Sequence, residues 1–261
     1  MIDIHSHILP GVDDGAATLE ESLAMARLAV AGGTTTLFAT PHLTNAREFA
    51  KAGFVAEMVA SLQVELETAN LPLRLIPGGE IYPGDAIMTA LANDAPLTLG
   101  GSRYLLLDLP FMSLPMGLGA LIFSLQTHGI TPILAHPERV TPFQRDLQQL
   151  EAFVQRGALV QVTGLSLLGG FGHEAQATAH SLLRLRWAHF LASDAHSPRR
   201  RNTDLDEAAK VLGELVEPDF AHLLTEGNGA RVLANESIAT DPLPYTPAPA
   251  KKTGFRWPWA R

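Results

Sequence analysis

The chain of 261 residues contains no cysteine. That absence removes disulfides, thiolate zinc sites, iron–sulfur clusters and every reaction that runs through a cysteine nucleophile. It also has no apolar run near the roughly 18 residues of a membrane span. Its start, Met1-Ile2-Asp3-Ile4-His5, has neither the basic head nor the apolar middle of a signal peptide. Both features predict a cytoplasmic protein. Positive charge is scarce: 19 Lys+Arg against 27 Asp+Glu leave a net charge of −8, the wrong sign for holding a nucleic-acid backbone. Several motifs are missing as well. There is no P-loop, Gly164-Leu165-Ser166-Leu167-Leu168 lacks the closing glycine of a nucleophile elbow, and Gly117-Leu118-Gly119 lacks the third glycine of a dinucleotide fingerprint.

What is present is ample core material, with 46% hydrophobic and 18% charged residues. Short apolar runs at 2–5, 35–39, 73–76, 104–108, 132–135, 158–162 and 189–192 read as strands. Amphipathic segments at 18–31, 46–69, 117–128, 143–156, 175–186 and 204–215 read as helices, the first opened by a Thr18/Glu21 capping box and closed at Gly32-Gly33. Alternation of this kind predicts an α/β domain with a mainly parallel sheet over residues 1–237. Residues 164–172 are expected to form a flexible rim loop. Residues 238–261 turn proline-rich and end basic and aromatic, which predicts a disordered tail, with docking on a partner or an anionic membrane surface as the other reading.

Histidine and acidic residues fall at the ends of these strands. His5 and His7 alternate at period two and so point to one side of an extended segment, and Asp13-Asp14 follow in the same loop. His42, Glu80, Asp108 and His136 follow the next four strands, and Asp194 and His196 follow the last. In a parallel barrel all strand C-termini open on one face, so these distant residues would converge there. Five imidazoles and four carboxylates in one cup would repel and dehydrate one another unless cations neutralised them. Imidazole and carboxylate without sulfur suit Mn, Fe(II) or Zn, and nine ligands suit two or three ions, with Glu80 bridging a pair. His128, His173, His180, His189 and His222 have no such placement and are read as ordinary surface or hydrogen-bonded residues.

Arg139 lies three residues after His136, and Arg199-Arg200-Arg201 follows His196. Guanidinium forks beside a metal cup match the oxygens of a phosphate ester, which points to hydrolysis of a phosphomonoester.

These blocks together resemble the polymerase-and-histidinol-phosphatase (PHP) superfamily, and within it the metal-dependent protein tyrosine phosphatases of bacterial capsule and exopolysaccharide operons. The likeness runs from residue 1 to about 235. It is carried by residues 1–15, by Gly79-Glu80-Ile81-Tyr82 and Ser102-Arg103-Tyr104, and by Ala135-His136-Pro137-Glu138-Arg139 and Ala192-Ser193-Asp194-Ala195-His196. The resemblance implies a distorted seven-stranded (β/α) TIM-like barrel, the PHP fold. It also implies three metal sites, held by His5, His7, Glu80 and Asp194, by Glu80, Asp108 and His136, and by Asp14, His42 and His196. Manganese is the implied metal, with iron or zinc as alternatives, and a metal-bound hydroxide is the implied nucleophile. Arg139 and Arg201 would bind the phosphate. Family members often carry Glu where this chain has Asp108, one methylene shorter, so the second site is expected to be tighter or weaker. The implied substrate is the tyrosine-phosphorylated tail of a membrane-associated bacterial tyrosine kinase. Two other readings stay open: a small-molecule phosphatase, such as one for histidinol phosphate, and a non-catalytic module that binds a phosphorylated tail.

Overall fold

The structure is a computed structural model that describes residues 1–50, 52–239 and 242. Among the described residues nine short strands lie in two sheets, and every pairing is parallel. The strands are β1 (Ile2–Ser6), β2 (Thr36–Ala39), β3 (His42–Leu43), β4 (Arg74–Pro77), β5 (Glu80–Ile81), β6 (Tyr104–Leu107), β7 (Thr131–Ala135), β8 (Leu159–Thr163) and β9 (Phe190–Ala192). One sheet has the order β1-β2-β4 and the other β3-β5-β6-β7-β8-β9. The seven expected strands are all present. Two are longer than expected and interrupted, β2 from β3 at Thr40-Pro41 and β4 from β5 at Gly78-Gly79.

Pro41 has no N–H for the ladder, a Cβ at Gly79 would stand 2.8 Å from a Leu43 methyl, and the two interruptions lie opposite each other. Hydrogen bonds step across the break from Gly78 N to Ala39 O and from Glu80 N to Pro41 O, each 3.0 Å. The kink carries His42 and Glu80 into register, directly opposite each other on β3 and β5. At the other edge, β1 meets the chain just past β9 through the Ser6/Ala195 bridge, with Asp194 N donating to His5 O and His7 N to Ala195 O, each 2.9 Å.

Strands buried on both faces explain the near-continuous apolar runs. Alternate residues of β6 divide between two cores. Tyr104 and Leu106 join Ile4, Phe38, Ile76, Ile133 and Phe190 in a cluster drawn from every long strand, whereas Leu105 and Leu107 face the surrounding helices. A third cluster packs the helices Leu19–Ala31 and Gly53–Thr68 on β2 and β4.

The helix Leu19–Ala31 is capped as expected, with Thr18 accepting from Glu21 N, although Glu21 reaches back to Ala17 N. The expected helix 46–69 is two helices, Ala46–Phe49 and Gly53–Thr68, and 143–156 is also two, Thr141–Arg145 and Gln148–Val154. The second pair is split where Asp146 is extended and accepts from Gln148 N, behaving as an N-cap inside the apolar pattern. Ala86–Ala92 and the helical run from Pro218 to Leu233 were not expected from the sequence. The rim at 164–172 is not a plain loop, because it begins as a helix, Gly164–Leu167, and continues in tight turns. Apart from 238, 239 and 242, the expected tail lies outside the described residues.

His189 shows what burial does to one of the histidines set apart from the cup. It is 4% exposed, its Nδ1 accepts from Val160 N at 3.1 Å, and its carbonyl accepts from Asn228 Nδ2. Burial pushes its pKa down to about 4. The unfolded chain therefore takes up this proton first, so stability is lost as pH falls from about 6.5 through about 4, by at most about 3 kcal/mol. Between about pH 7 and pH 5 the urea midpoint of the wild type should fall more steeply than that of His189→Gln, which keeps an acceptor without a proton site. Parallel curves would show that His189 does not titrate in this way.

Candidate metal centre

The first strand delivers two imidazoles to one side, and hydrogen bonds on their outer nitrogens fix which way they face. His5 Nδ1 donates to Gln161 Oε1 at 3.0 Å, and His7 Nδ1 donates to Asp13 Oδ2 at 2.7 Å. The orientation of the Gln161 amide is fixed in turn, because the same Oε1 accepts from His136 N while Nε2 donates to Thr163 Oγ1. With both Nδ1 atoms protonated, the Nε2 lone pairs of His5 and His7 confront each other across 3.2 Å. His196 is set likewise, its Nδ1 donating to the carbonyl of Asp194 at 3.0 Å. A carboxylate or carbonyl behind each ring is the usual way of aiming an imidazole at a metal.

The carboxylates face these lone pairs. Glu80, from the kinked β5, places Oε2 3.3 Å from His5 Nε2, 3.4 Å from His7 Nε2 and 2.9 Å from His42 Nδ1, while its Oε1 is 2.9 Å from His136 Nε2. Asp194 places Oδ1 3.6 Å from the Nε2 atoms of both His5 and His7. Glu80 Oε2 and Asp194 Oδ1 are buried, and neither has a hydrogen bond of sound geometry. Asp108 stands farther off, 3.7 Å from His42 and 3.8 Å from His136, as a side chain shorter than Glu would. Asp14, the most exposed of the nine, lies 3.3 Å from His196 Nε2 and 3.5 Å from His42 Nε2.

The electrostatics report the same crowding. Burial alone would lower His5 and His7, yet hydrogen bonds and the charges of Glu80 and Asp194 raise both, and His7 well above the usual imidazole range. Burial would raise Glu80, but the surrounding imidazoles hold it well below the usual carboxylate range. Burial and then the Glu80 charge push Asp108 up to about 6. For His196, burial and then His7 press it down to about 4. Orphaned carboxylate oxygens, opposed lone pairs and an oxygen and nitrogen donor set without sulfur fit divalent cations.

Among the described residues, four overlapping groups have donor atoms within 4.8 Å of one another: His7, Asp14, His42 and His196; His5, His7 and Glu80; His5, His136 and Asp194; and His42, Glu80 and Asp108. Together they contain all nine expected residues, and none of the other histidines. The geometry also shows sharing that strand-end placement did not suggest, since His5, His7 and His42 each stand in two groups.

Arg139 Nη1 and Arg201 Nη2 both donate to Asp194 Oδ2, at 2.7 and 2.8 Å, so the two guanidinium groups converge at the lip of the cup. The expected pair is thereby brought together. His136 and Asp194, the residues that turn the chain into the cup, both adopt left-handed backbone, with φ of 34° and 50°. Such conformations cost about 1–3 kcal/mol each and persist only where surrounding structure imposes them.

Several supporting residues had escaped the sequence reading. Asp3, pushed up to about 6 by burial, accepts from His5 N and Ser193 N and so ties β1 to the Asp194 turn. It continues the alternation of His5 and His7 one step back, which was a legible sign. Gln161 is a polar residue flanked by valines in the middle of an apolar run, another legible sign. Asp13 also accepts from His42 N, and Gly15 packs so closely that a Cβ there would stand 2.1 Å from His7 O, for which the sequence gives no local cue.

Residues 1–234 match the family described as capsular polysaccharide synthesis, CpsB/CapC. The chain is similar to tyrosine-protein phosphatase YwqE of Bacillus subtilis, with 36% identity over 252 residues and 97% of each chain covered. It is 26% identical over 243 residues to tyrosine-protein phosphatase CpsB of Streptococcus agalactiae, covering 91% of this chain and 100% of that one. A crystal structure from work on YwqE and the CpsB of Streptococcus pneumoniae, described as unique metal-dependent tyrosine phosphatases, superposes with a TM-score of 0.88 at 35% identity, over 95% of this chain and 100% of that chain. A β-aspartyl dipeptidase from Fervidobacterium islandicum shares the fold alone, with a TM-score of 0.58 at 16% identity over 92% of this chain and 74% of that one. With almost its whole described length matched, the chain belongs to the CpsB/CapC family of capsular polysaccharide synthesis.

Proposed function

We propose that this chain is a metal-dependent phosphotyrosine-protein phosphatase. Its substrate is the tyrosine-phosphorylated tail of a membrane-associated bacterial tyrosine kinase of capsule or exopolysaccharide biosynthesis. One observation carries the reading: two arginines converge at the lip of a cup of nine imidazole and carboxylate donors. Family membership and the names of the relatives support it. The two sheets, joined at the Thr40-Pro41 and Gly78-Gly79 kinks and at the Ser6/Ala195 bridge, support a distorted barrel of seven strand positions. No helix among the described residues is long and apolar enough to cross a membrane, and the reading assigns the chain to the cytoplasm.

In this reading His5, His7, Glu80 and Asp194 hold one ion, Glu80, Asp108 and His136 a second, and Asp14, His42 and His196 a third. The ions are manganese, with iron or zinc as alternatives. When bound, such cations polarise phosphoryl oxygens and lower the pKa of water at neutral pH. The chain's own residues do the rest. Arg139 and Arg201 present guanidinium N–H groups to the phosphate oxygens while Asp194 keeps both forks in place. Gln161 and Asp13 keep the Nδ1 protons of His5 and His7 outward, so both rings offer lone pairs inward. Leu109, Pro110 and Phe111 line one wall of a cavity of about 280 Å³ at the site.

Protein purified without chelator and loaded with manganese should release phosphate from a phosphotyrosyl peptide faster than from histidinol phosphate. EDTA should abolish the activity, manganese should restore it, and no covalent phosphoenzyme should accumulate. Activity that resists chelation, or no release at full metal loading, rejects the reading. His136→Ala should lose more than about 100-fold in turnover while keeping its fold by circular dichroism, beyond the loss expected for an outer partner of the site.

Gln161→Leu tests the tautomer argument separately. It should weaken manganese binding by about 10- to 100-fold, measured by calorimetry, without altering ligand identity. Unchanged affinity would show that the hydrogen bond to His5 does not orient the ring.

A further inference from the structure

Arg139 is held between two phenylalanines. Its guanidinium carbon lies 4.4 Å from the ring centroid of Phe111 and 4.0 Å from that of Phe171. The two rings are not equivalent. Phe171 belongs to the rim turn at 164–172, which backbone hydrogen bonds lock: Gly169 N donates to Ser166 O, Gly170 N to Leu165 O and Gly172 N to Gly169 O. A Cβ at Gly170 would stand 2.4 Å from a Leu165 methyl, and Gly169 and Gly172 have φ of 82° and 95°, so the turn admits little else. Half-buried on that turn, Phe171 lies against Arg139 and, at 5.7 Å, near Arg201.

Phe111 stands on the open side. It follows Asp108 by three residues, its carbonyl accepts from Thr141 N at 2.7 Å, and its ring lies 5.5 Å from that of His136. The side chain is nevertheless 41% exposed. An exposed phenylalanine with its backbone pinned, lining the same cavity as Asp108, His136, Arg139 and Arg201, is a large apolar face left facing the place where substrate enters.

We infer that Phe111 is the specificity-determining residue that selects an aryl phosphate ester, while Phe171 is a positioning residue that acts only through the arginines, chiefly Arg139. The inference rests on the phosphatase reading and says which part of the substrate the mouth recognises. A phosphate gripped by Arg139 and Arg201 directs its ester oxygen toward the mouth, alongside Phe111. A phenol ring on that oxygen meets the exposed face of Phe111 in ring-to-ring contact and buries apolar surface. A serine ester has one methylene before its backbone, so it would bring peptide amides against the same face and strip their hydration.

The test compares the manganese-loaded wild type with Phe111→Leu, Phe111→Tyr and Phe171→Leu. Binding of phenylphosphonate and methylphosphonate is read by calorimetry, and kcat/KM is read on phosphotyrosyl and phosphoseryl versions of one peptide. Phe111→Leu should reduce the preference for phenyl over methyl, and for tyrosyl over seryl, by about three- to tenfold. Phe111→Tyr should restore it, and Phe171→Leu should weaken both ligands of each pair alike. An unchanged preference in Phe111→Leu, or an equal loss on both ligands, overturns the inference. A wild type that turns over neither ester but binds phenylphosphonate in preference, with that preference lost in Phe111→Leu, supports the ring contact and counts against the phosphatase reading instead.

Discussion

Lone pairs and negative charges forced together in a dry cup set the terms for the rest of this molecule. Two imidazole nitrogens face each other across 3.2 Å with their protons held elsewhere, and two buried carboxylate oxygens point at them without a hydrogen bond. The charges of Glu80 and Asp194 raise His5 and His7, so the protonation of the rings and the negative charge of the cup are tied together. A donor set of this kind fits divalent cations. Even so, the donors must be held in place before any ion arrives, and the scaffold does that.

The scaffold works by interrupting its own regularity. A plain parallel ladder would place its residues at even steps, but the Thr40-Pro41 and Gly78-Gly79 breaks let two strands shift together so that His42 and Glu80 come opposite each other. The left-handed turns at His136 and Asp194 do the same at the other side of the cup, against an intrinsic preference of the backbone. Gln161, Asp13 and Asp3 then hold the rings and turns from behind. Strain of this kind is tolerated because three apolar clusters pack both faces of the strands and leave the strand ends as the place where polar groups gather.

Asp194 joins the donor cup to the two arginines at its lip. One of its oxygens faces the imidazoles and the other takes both arginines, so the guanidinium pair is set by a residue of the cup itself. The aromatic rings on Arg139 extend the same arrangement outward, one fixed by the rim turn and one left open to solvent. Burial, charge and shape are thus passed from the floor of the site to its mouth through a short chain of contacts.

The sequence by itself determined the fold class and which nine imidazole and carboxylate side chains gather at the strand ends. Alternating apolar runs dictate parallel strands with crossover helices, and parallel strands place their C-terminal ends on one face, so residues at strand ends are bound to meet. Asp3 and Gln161 were legible too, as a polar position in step with His5 and as a polar break in an apolar strand, although nothing local says whom they touch. Tertiary structure alone decided the grouping: that His5, His7 and His42 are shared, that Asp194 serves both the cup and the arginines, that Phe111 and Phe171 close on Arg139, and that two helices divide and two strands kink. Many such contacts join partners 25 to 190 residues apart in the chain, as Gln161 is from His136 and Asp3 from Ser193. Local preference specifies which element forms, but a contact across such a span is fixed only when packing chooses one neighbour among many.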